Sequence, residues 1–181
     1  MGFYEFEGKK PFIDPEAFVH PEAVVIGNVE VEAGAYVGAG AALRGDFGYI
    51  RIGKGSNFQE NGVIHSFPDK ATIVHPNSHV GHSAILHGCE ICSNVLVGMG
   101  SILGDDVKIN SNCVIGAGSF VAVGTEIPPN SLVIGSPAKV IREIGPEHLE
   151  RIRSGLAIYQ ELTRRYLKSF REVSMGEVRK K

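Results

Sequence analysis

The stretch HVGHSAILHGCEI places three histidines, His79, His82 and His87, within nine residues, and a further candidate, His65, precedes it. Imidazole nitrogens bind zinc and other transition metals, and they also act as general bases near neutral pH. The histidines therefore suggest a metal site or a catalytic site. The third interpretation is a set of polar side chains on the surface of a scaffold.

The cysteines offer a second candidate chemistry, because Cys89 and Cys92 have the spacing of a zinc or redox pair. No second cysteine pair accompanies them, and Cys113 makes the count odd. An odd count and an N-terminal stretch without an apolar signal core favour a reducing cytoplasm. We therefore expect Cys89 and Cys113 to be small buried core residues.

Charge and hydropathy exclude several classes of partner. The net charge is −2 and the pI is about 6.4, so no basic surface for nucleic acid or an anionic membrane is expected. No apolar run approaches the roughly 20 residues of a membrane span. The sequence favours a cytoplasmic protein with a small-molecule substrate and with neither nucleic acid nor membrane as a partner.

Large aliphatic residues recur every six positions along most of the chain. They form three series: Val19, Val25, Val31, Val37 and Leu43; Ile52, Phe58 and Ile64; and Ile85, Ile91, Val97, Leu103, Ile109, Ile115, Val121 and Ile127. A period of six matches neither a helix nor a simple strand, but it fits short strands joined by tight turns in a solenoid. Three hexapeptides close one triangular coil. The sequence therefore predicts an all-β solenoid, a left-handed parallel β-helix.

The pattern becomes helical after Gly145-Pro146. One apolar stripe then runs at spacings of three and four residues: Leu149, Ile152, Leu156, Tyr159, Leu162, Tyr166 and Phe170. Because a solenoid needs covered surfaces, we expect this helix to fold back and bury the stripe. The predicted division is a β-helix domain over residues 1–141 and a C-terminal helical segment over residues 142–181.

Stacking of the coils brings two histidines together. The series breaks at HSFPDKAT, where we expect a loop to leave the coil. The predicted sides of the two neighbouring coils are Ile52, Phe58 and Ile64 in one, and Ile73, His79 and Ile85 in the next. His65 and His87 then emerge on the same side, in coils stacked at about 4.8 Å. His79 falls at an inward or edge position, where it either supports the ligands from behind or only packs.

His82 belongs to a different side of the coil. It lies five residues before His87, too far for the two side chains to converge within one subunit. A site with three histidines would therefore need His82 from a neighbouring molecule, which closed threefold symmetry would supply. Three imidazoles with an open position are the pattern of a catalytic zinc. His20, His75 and His148 are expected to be surface residues.

The run RGDFGYIRIGKGSNFQENGVIH, followed by VGHSAILHGC and VGMGSILGDDVKI, resembles the γ-class carbonic anhydrase family over essentially the whole chain. The closing GSPAKVIREI is shared with hexapeptide acyltransferases. These motifs resemble most the branch of the family that includes phenylacetate-degradation and carnitine-operon proteins. The resemblance implies a homotrimer with a metal at each subunit interface. His65 and His87 would come from one chain and His82 from the next.

The resemblance also implies an activity, the reversible hydration of CO2 to bicarbonate by a metal-bound hydroxide. The metal would be Zn2+, although Fe2+ and Co2+ also accept three imidazoles. Gln59 would hydrogen-bond the hydroxide or the product, assisted by Asn57. Arg44 and Asp46 match the family's interface ion pair, with a structural role as one alternative and attraction of the anionic product as the other.

Several positions depart from the family pattern. Phe47 stands where the archaeal prototype has a glutamate, and the loop after the first histidine ligand carries only Asp69 as a carboxylate. Glu60 replaces the usual aspartate. Tyr159 matches a tyrosine of the short members and either reaches the site or belongs to the apolar stripe. Since fast hydration needs a proton relay, these changes affect the expected turnover rather than the metal site.

Three other functions remain open. One is hydrolysis of acyl-CoA thioesters, associated with the phenylacetate branch. Another is CoA-dependent acyl transfer with a histidine base and no metal, and the last is a non-catalytic metal-binding scaffold. Fold alone does not choose among them, because one fold hosts many functions.

Overall fold

The chain winds into a left-handed parallel β-helix, and a long C-terminal helix lies against it. The computed structural model describes residues 2–179. The fold predicted from the six-residue period is confirmed. Each coil holds short strands that pair with the coils above and below. Leu96, for example, pairs with Val114, which lies 18 residues later.

Twenty strands and two helices make up the described chain. The strands are β1 (Gly2–Tyr4), β2 (Phe12–Ile13), β3 (Phe18–Val19), β4 (Val24–Val31), β5 (Tyr36–Val37), β6 (Ala42–Ile52), β7 (Asn57–Phe58), β8 (Val63–His65), β9 (Ala71–Val74), β10 (His79–Val80), β11 (Ile85–His87), β12 (Glu90–Ile91), β13 (Leu96–Val97), β14 (Ile102–Leu103), β15 (Lys108–Ile109), β16 (Val114–Ile115), β17 (Phe120–Val121), β18 (Glu126–Ile127), β19 (Ser131–Gly135) and β20 (Ala138–Glu143). The helices are α1 (Pro146–Ser169) and α2 (Met175–Val178).

The core is a stack of aliphatic side chains inside the triangular coils. The predicted series is buried almost throughout, and Leu43, Ile64 and Leu103 are fully inaccessible. Cys89 and Cys113 are also buried and form no disulfide, as expected of small core residues. In a solenoid each coil buries its apolar face against its neighbours.

The predicted inward positions of one coil, Ile73, His79 and Ile85, are displaced by one residue. Ile85 is 40% exposed, and Leu86 takes the inward place. The step from Leu86 to the next core residue, Ile91, has five residues, because the chain turns tightly at Gly88 with φ +56°. A count of six back from Ile91 therefore lands one residue early. The same shift puts Val74 and Val80 in the core, and His79 points outward.

The outer surfaces of the three coil walls differ in character. An apolar wall carries one row of outward side chains in register, each large member 38–41% exposed: Val24, Ala42, Val63, Ile85, Ile102 and Phe120. A charged wall carries Glu30, Arg51, Glu90, Lys108 and Glu126. Helix α1 packs on the third wall, which holds β3, β5 and β10.

Helix α1 begins at Pro146, where a proline at the first turn loses no intrahelical hydrogen bond. It buries Ile152, Leu156 and Thr163 against the solenoid, whereas the predicted Leu149 and Leu162 are half-buried. Strand β20 continues to Glu143, two residues past the predicted boundary at residue 141. The division into two parts stays a prediction. No helix within residues 2–179 is long and apolar enough to cross a membrane.

Candidate functional site

His65 and His87 lie side by side at the edge of the apolar wall. Each follows a fully buried residue, Ile64 or Leu86, and the two histidines pair directly in the ladder of β8 and β11. Nδ1 of His65 lies 3.2 Å from Nε2 of His87. The structure thus brings together the two histidines that coil stacking predicts, and we call them the His pair.

Two carboxylates hold the outer nitrogens of the His pair. Nε2 of His65 donates to Asp46 Oδ1 at 3.0 Å, and Nδ1 of His87 donates to Asp105 Oδ1 at 2.7 Å. A neutral imidazole carries one ring proton, so both protons point away from the pair. The facing nitrogens therefore present lone pairs to each other. That contact is repulsive unless a cation lies between them.

Arg44 and Asp46 form the predicted ion pair, with Nη1 2.7 Å from Oδ2. Partial burial raises the pKa of Asp46, but hydrogen bonds from Arg44 and His65 outweigh it and hold that pKa below its usual range. Asp46 therefore remains a carboxylate and keeps His65 in one tautomer. Burial lowers the pKa of His65, which favours the neutral ring that a metal requires.

Two exposed phenyl rings flank the His pair. The Phe47 ring is centred 5.3 Å from that of His65, and the Phe67 ring lies edge-on to His87 at 5.2 Å. The rings are 50% and 55% exposed. Each histidine of the pair thus has one apolar ring as a neighbour in addition to its carboxylate.

His82 lies apart from the His pair and has its own carboxylate. Nδ1 of His82 is 2.6 Å from Glu60 Oε2, while Glu60 Oε1 accepts a 2.7 Å hydrogen bond from Tyr36. Burial alone would raise the pKa of Glu60. The hydrogen bonds from Tyr36 and His82 outweigh burial, so that pKa lies below its usual range. With Nδ1 engaged, Nε2 of His82 is the nitrogen left for chemistry.

Within the described residues, 2–179 of a single chain, no group of three histidine, cysteine, aspartate or glutamate side chains converges as a metal site. The His pair lies on the apolar wall, whereas His82 lines a groove beside α1. A site that used all three histidines would therefore have to draw them from two copies.

Gln59, Asn57 and His79 form a buried triangle of hydrogen-bonding groups. Gln59 Nε2 donates to Asn57 Oδ1 at 3.0 Å and lies 2.8 Å from Nε2 of His79. Asn57 Nδ2 lies 3.2 Å from the other ring nitrogen of His79. Burial lowers the pKa of His79 to about 4, so the ring is neutral at physiological pH.

Tyr159 links α1 to this triangle. The centre of its ring lies 5.2 Å from that of His79, edge-on, and 5.3 Å from that of Tyr36. Burial raises the pKa of Tyr159 to about 12. Tyr159 thus belongs both to the apolar face of the helix and to the lining of the groove. The groove has a volume of about 760 Å³ and also contains Gln59, His82 and Met99.

The remaining histidines have local partners. His75 pairs with Glu90 at 2.8 Å on the charged wall, and His148 lies 2.8 Å from Glu147 at the start of α1. His20 packs edge-on against Phe170. His148 lines the same groove as His82, but no contact joins any of the three to the His pair in the described structure.

Asp105 is one residue that sequence reasoning missed. It lies in the next coil, where Leu103 pairs with Leu86, so coil stacking would have placed it close to His87. Tyr36 and Phe67 were missed for a different reason. Their roles depend on side-chain direction at corners and loops, which a six-residue count does not give.

Three relatives connect this geometry with known proteins. The profile of the family described as bacterial transferase hexapeptide (six repeats) matches residues 88–122. The carnitine operon protein CaiE of Salmonella agona is 44% identical over 162 residues, 90% of this chain and 82% of the relative. The chain belongs to the hexapeptide-repeat transferase family. Within it, the CaiE relatives define the carnitine-operon branch that the motifs resembled.

Solved structures of family members agree with the fold. A Bacillus cereus protein provisionally named an acetyltransferase superposes with a TM-score of 0.90 at 36% identity, covering 92% of this chain and 96% of its own. A hexapeptide transferase family protein from Anaplasma phagocytophilum gives a TM-score of 0.88 at 33% identity, with coverage of 91% and 98%. These family members share the solenoid together with its C-terminal helix.

Proposed function

We propose that this family member is a metal-dependent enzyme of the γ-class carbonic anhydrase type, which hydrates CO2 reversibly at the interfaces of a homotrimer. The His pair carries the proposal. Asp46 and Asp105 turn two lone pairs toward one point, with the nitrogens 3.2 Å apart. In a tetrahedral zinc site with bonds of about 2.0–2.1 Å, ligand nitrogens lie about 3.3 Å apart. The pair therefore fits two positions of such a site.

His82 of a neighbouring copy would supply the third ligand. Its Nδ1 is held by Glu60, so Nε2 is oriented in the way carboxylates orient other metal-binding histidines. The apolar wall supports a second copy beside the His pair, because its outward row runs across six strands and passes the two histidines at β8 and β11. Apolar surface on this scale is typical of protein–protein interfaces.

The chemistry of the metal would be that of a Lewis acid. A zinc ion held there would lower the pKa of a water ligand to about 7, and iron or cobalt would also accept three imidazoles. Asp46, Asp105 and Glu60 keep the three rings in the tautomers that leave one nitrogen each for the metal. Cys92 is partly buried elsewhere on the solenoid and takes no part.

The other polar residues would handle substrate and product. Gln59 and Asn57 hydrogen-bond the attacking water or the bicarbonate, and Arg44, whose side chain is 46% exposed, attracts the anion. Tyr159 closes the groove from the helix side. The phenyl rings of Phe47 and Phe67 suit CO2, a small apolar molecule, but they offer no group to accept the proton that the attacking water releases.

The decisive experiment combines metal analysis with an assay. We expect one metal ion per chain by mass spectrometry of the purified protein and CO2 hydration that is abolished by chelation and restored by Zn2+, Co2+ or Fe2+. Substitution His87→Ala should remove both metal and activity. As a matched control, His75→Ala alters a histidine on the charged wall and should change neither.

Metal-free protein in a stable monomeric state would contradict the proposal, and so would a fully loaded protein that hydrates no CO2. The same preparation should be tested with acyl-CoA thioesters. Metal-dependent thioester cleavage without CO2 hydration would move the assignment to the thioesterase of the phenylacetate branch.

Acyl transfer is the second candidate, favoured by His82 and Glu60. A histidine whose Nδ1 is held by a carboxylate at 2.6 Å is a suitable general base, and it lines a groove large enough for an acyl chain. The Bacillus cereus relative is provisionally named an acetyltransferase. Acetyl-CoA consumption that persists in EDTA and is lost in His82→Ala, but not in His65→Ala, would support acyl transfer over hydration.

A further inference from the structure

The triangle of Asn57, Gln59 and His79 contains a conflict that determines how Gln59 faces its surroundings. A neutral imidazole donates from one nitrogen and accepts at the other. Both ring nitrogens of His79 face side-chain NH2 groups, Gln59 Nε2 at 2.8 Å and Asn57 Nδ2 at 3.2 Å. A neutral ring can accept from only one of them.

The distances decide which contact is the hydrogen bond. The shorter one joins Gln59 to Nε2 of His79, so Nε2 is the acceptor and Nδ1 carries the ring proton. The longer contact, to Asn57, is then a close approach of two donors. Gln59 donates its second N–H to Asn57 Oδ1 at 3.0 Å. Its carbonyl oxygen is the one polar atom of the amide with no bond inside the triangle.

Protonation of His79 would make both ring nitrogens donors, and the two amides could meet that ring only by reversing so that their oxygens face it. The surroundings oppose that charge. Helix α1 covers the ring, with Gly155 close above it and Tyr159 edge-on at 5.2 Å. The burial that lowers its pKa to about 4 keeps the ring neutral over the physiological range.

We infer that His79 is a positioning residue that holds the Gln59 amide with its carbonyl oxygen, rather than its NH2 group, toward the reacting atoms. This assignment rests on the proposed function, since it places Gln59 in that site. A carbonyl oxygen there accepts a hydrogen bond from the attacking water and directs an oxygen lone pair of that water at the carbon of CO2. An NH2 group would compete for the same lone pair.

Two substitutions separate positioning from packing. His79→Phe keeps a ring against Tyr159 and loses the acceptor. His79→Gln loses the ring and offers an amide oxygen near the position of Nε2. We expect His79→Phe to lower kcat for CO2 hydration about tenfold with little change in KM, the size of effect seen when groups that orient a metal site are lost. We expect His79→Gln to stay within about threefold of the wild type.

If His79 only fills space, the order reverses, and the phenyl variant is the more active one. Equal activity of the two variants would also overturn the inference. Metal content and melting temperature should be measured for both, so that a folding defect is not read as a catalytic one.

A second measurement does not depend on activity. Long-range ¹H–¹⁵N correlation spectra of histidine-labelled wild-type protein report the tautomer of each ring. We expect His79 to be neutral with its proton on Nδ1 at pH 7. A proton on Nε2 would mean that Gln59 presents its NH2 group, and the inference would be wrong. If the wild type hydrates no CO2, the proposed function fails, whereas the spectrum still decides the orientation of Gln59.

Discussion

Each of the three candidate histidines gives one ring nitrogen to a carboxylate. The pairs are His65 with Asp46, His87 with Asp105 and His82 with Glu60, at 2.6–3.0 Å. A carboxylate in this position fixes the tautomer and increases the basicity of the opposite nitrogen. The repetition of one arrangement at three histidines favours a common task for them over three unrelated surface roles.

Asp105 offers the cleanest test of this arrangement. Substitution Asp105→Asn keeps the size of the side chain but removes the charge that orients His87, so we expect metal affinity to fall about 10- to 100-fold. Competition with a chromogenic chelator measures the change. Asp106→Asn is the control, because Asp106 pairs with Lys70 on the surface and should leave affinity unaltered. Equal losses in both variants would contradict the assigned role of Asp105.

Sequence reasoning found most of this site at the residue scale. Coil stacking alone paired His65 with His87 and separated His82 from them, because those relations depend only on the repeat. The partners Asp46 and Glu60 came from the family resemblance. The contacts of His79 with Gln59 could not be predicted, since the register error placed His79 at an inward or edge position.

Phe47 leads to a prediction about turnover. Its ring lies 5.3 Å from that of His65 and is half exposed, so a carboxylate at this position would reach solvent beside the site. We expect Phe47→Glu to raise kcat several-fold at low buffer concentration, because proton removal limits fast hydration. At high buffer concentration the two proteins should be alike. Phe12→Glu, a change of an exposed residue at the N-terminal end, is the control, and a rise there as well would exclude the explanation.

The buried ring of His79 makes stability depend on pH. Burial lowers its folded pKa to about 4, below the unfolded value of about 6.5. Above pH 6.5 the His79 ring is neutral in both the folded and the unfolded protein. Between pH 6.5 and pH 4 the ring binds a proton in the unfolded protein but not in the folded one. Folding should therefore lose up to about 3 kcal/mol over that window and no more below it. Urea unfolding with a chelator present measures the loss, which His79→Phe should reduce; an unchanged pH profile in that variant would be the contrary result.

At the scale of elements, regular spacing predicted the coils and failed where one step is short. The five-residue step from Leu86 to Ile91 depends on the tight turn at Gly88, and the loop of residues 66–70 hides the change of phase. Counting in steps of six residues predicts neither the short step nor the change of phase in the loop. The correction strengthens the site, because His65 and His87 both follow a core residue directly and so stand in register.

Helix α1 should hold the groove residues in place through a few buried side chains. Ile152 is 1% exposed, so truncation by Ile152→Ala should cost about 2–4 kcal/mol through lost burial and a cavity. Ile158, on the same helix, is 67% exposed, and Ile158→Ala should change stability by less than about 0.5 kcal/mol. Denaturant titration of the two variants provides the comparison, and similar losses would show that the helix is not anchored by this contact.

At the scale of the molecule, the three walls have different surroundings. Charged residues face solvent on one wall, and α1 covers a second. The apolar wall has no cover within residues 2–179, and the His pair stands at its edge. A second copy that buries this wall would cover the exposed apolar row. Its own His82 would supply the ligand that the His pair lacks.

Sharing of ligands between copies leads to the sharpest prediction. Chains with His82→Ala keep the His pair, and chains with His65→Ala keep His82. In a closed ring of three, each pure mutant lacks a complete site. Every mixed ring contains one interface at which an intact His pair meets an intact His82, because the two kinds of chain must adjoin once in that order. We therefore expect metal binding and activity to reappear when the two inactive mutants are refolded together. Rings of His65→Ala mixed with His87→Ala are the control, since both lesions lie in the His pair and no arrangement completes a site. If mass spectrometry shows mixed rings that bind no more metal than their parents, the three histidines do not share one ion across the interface.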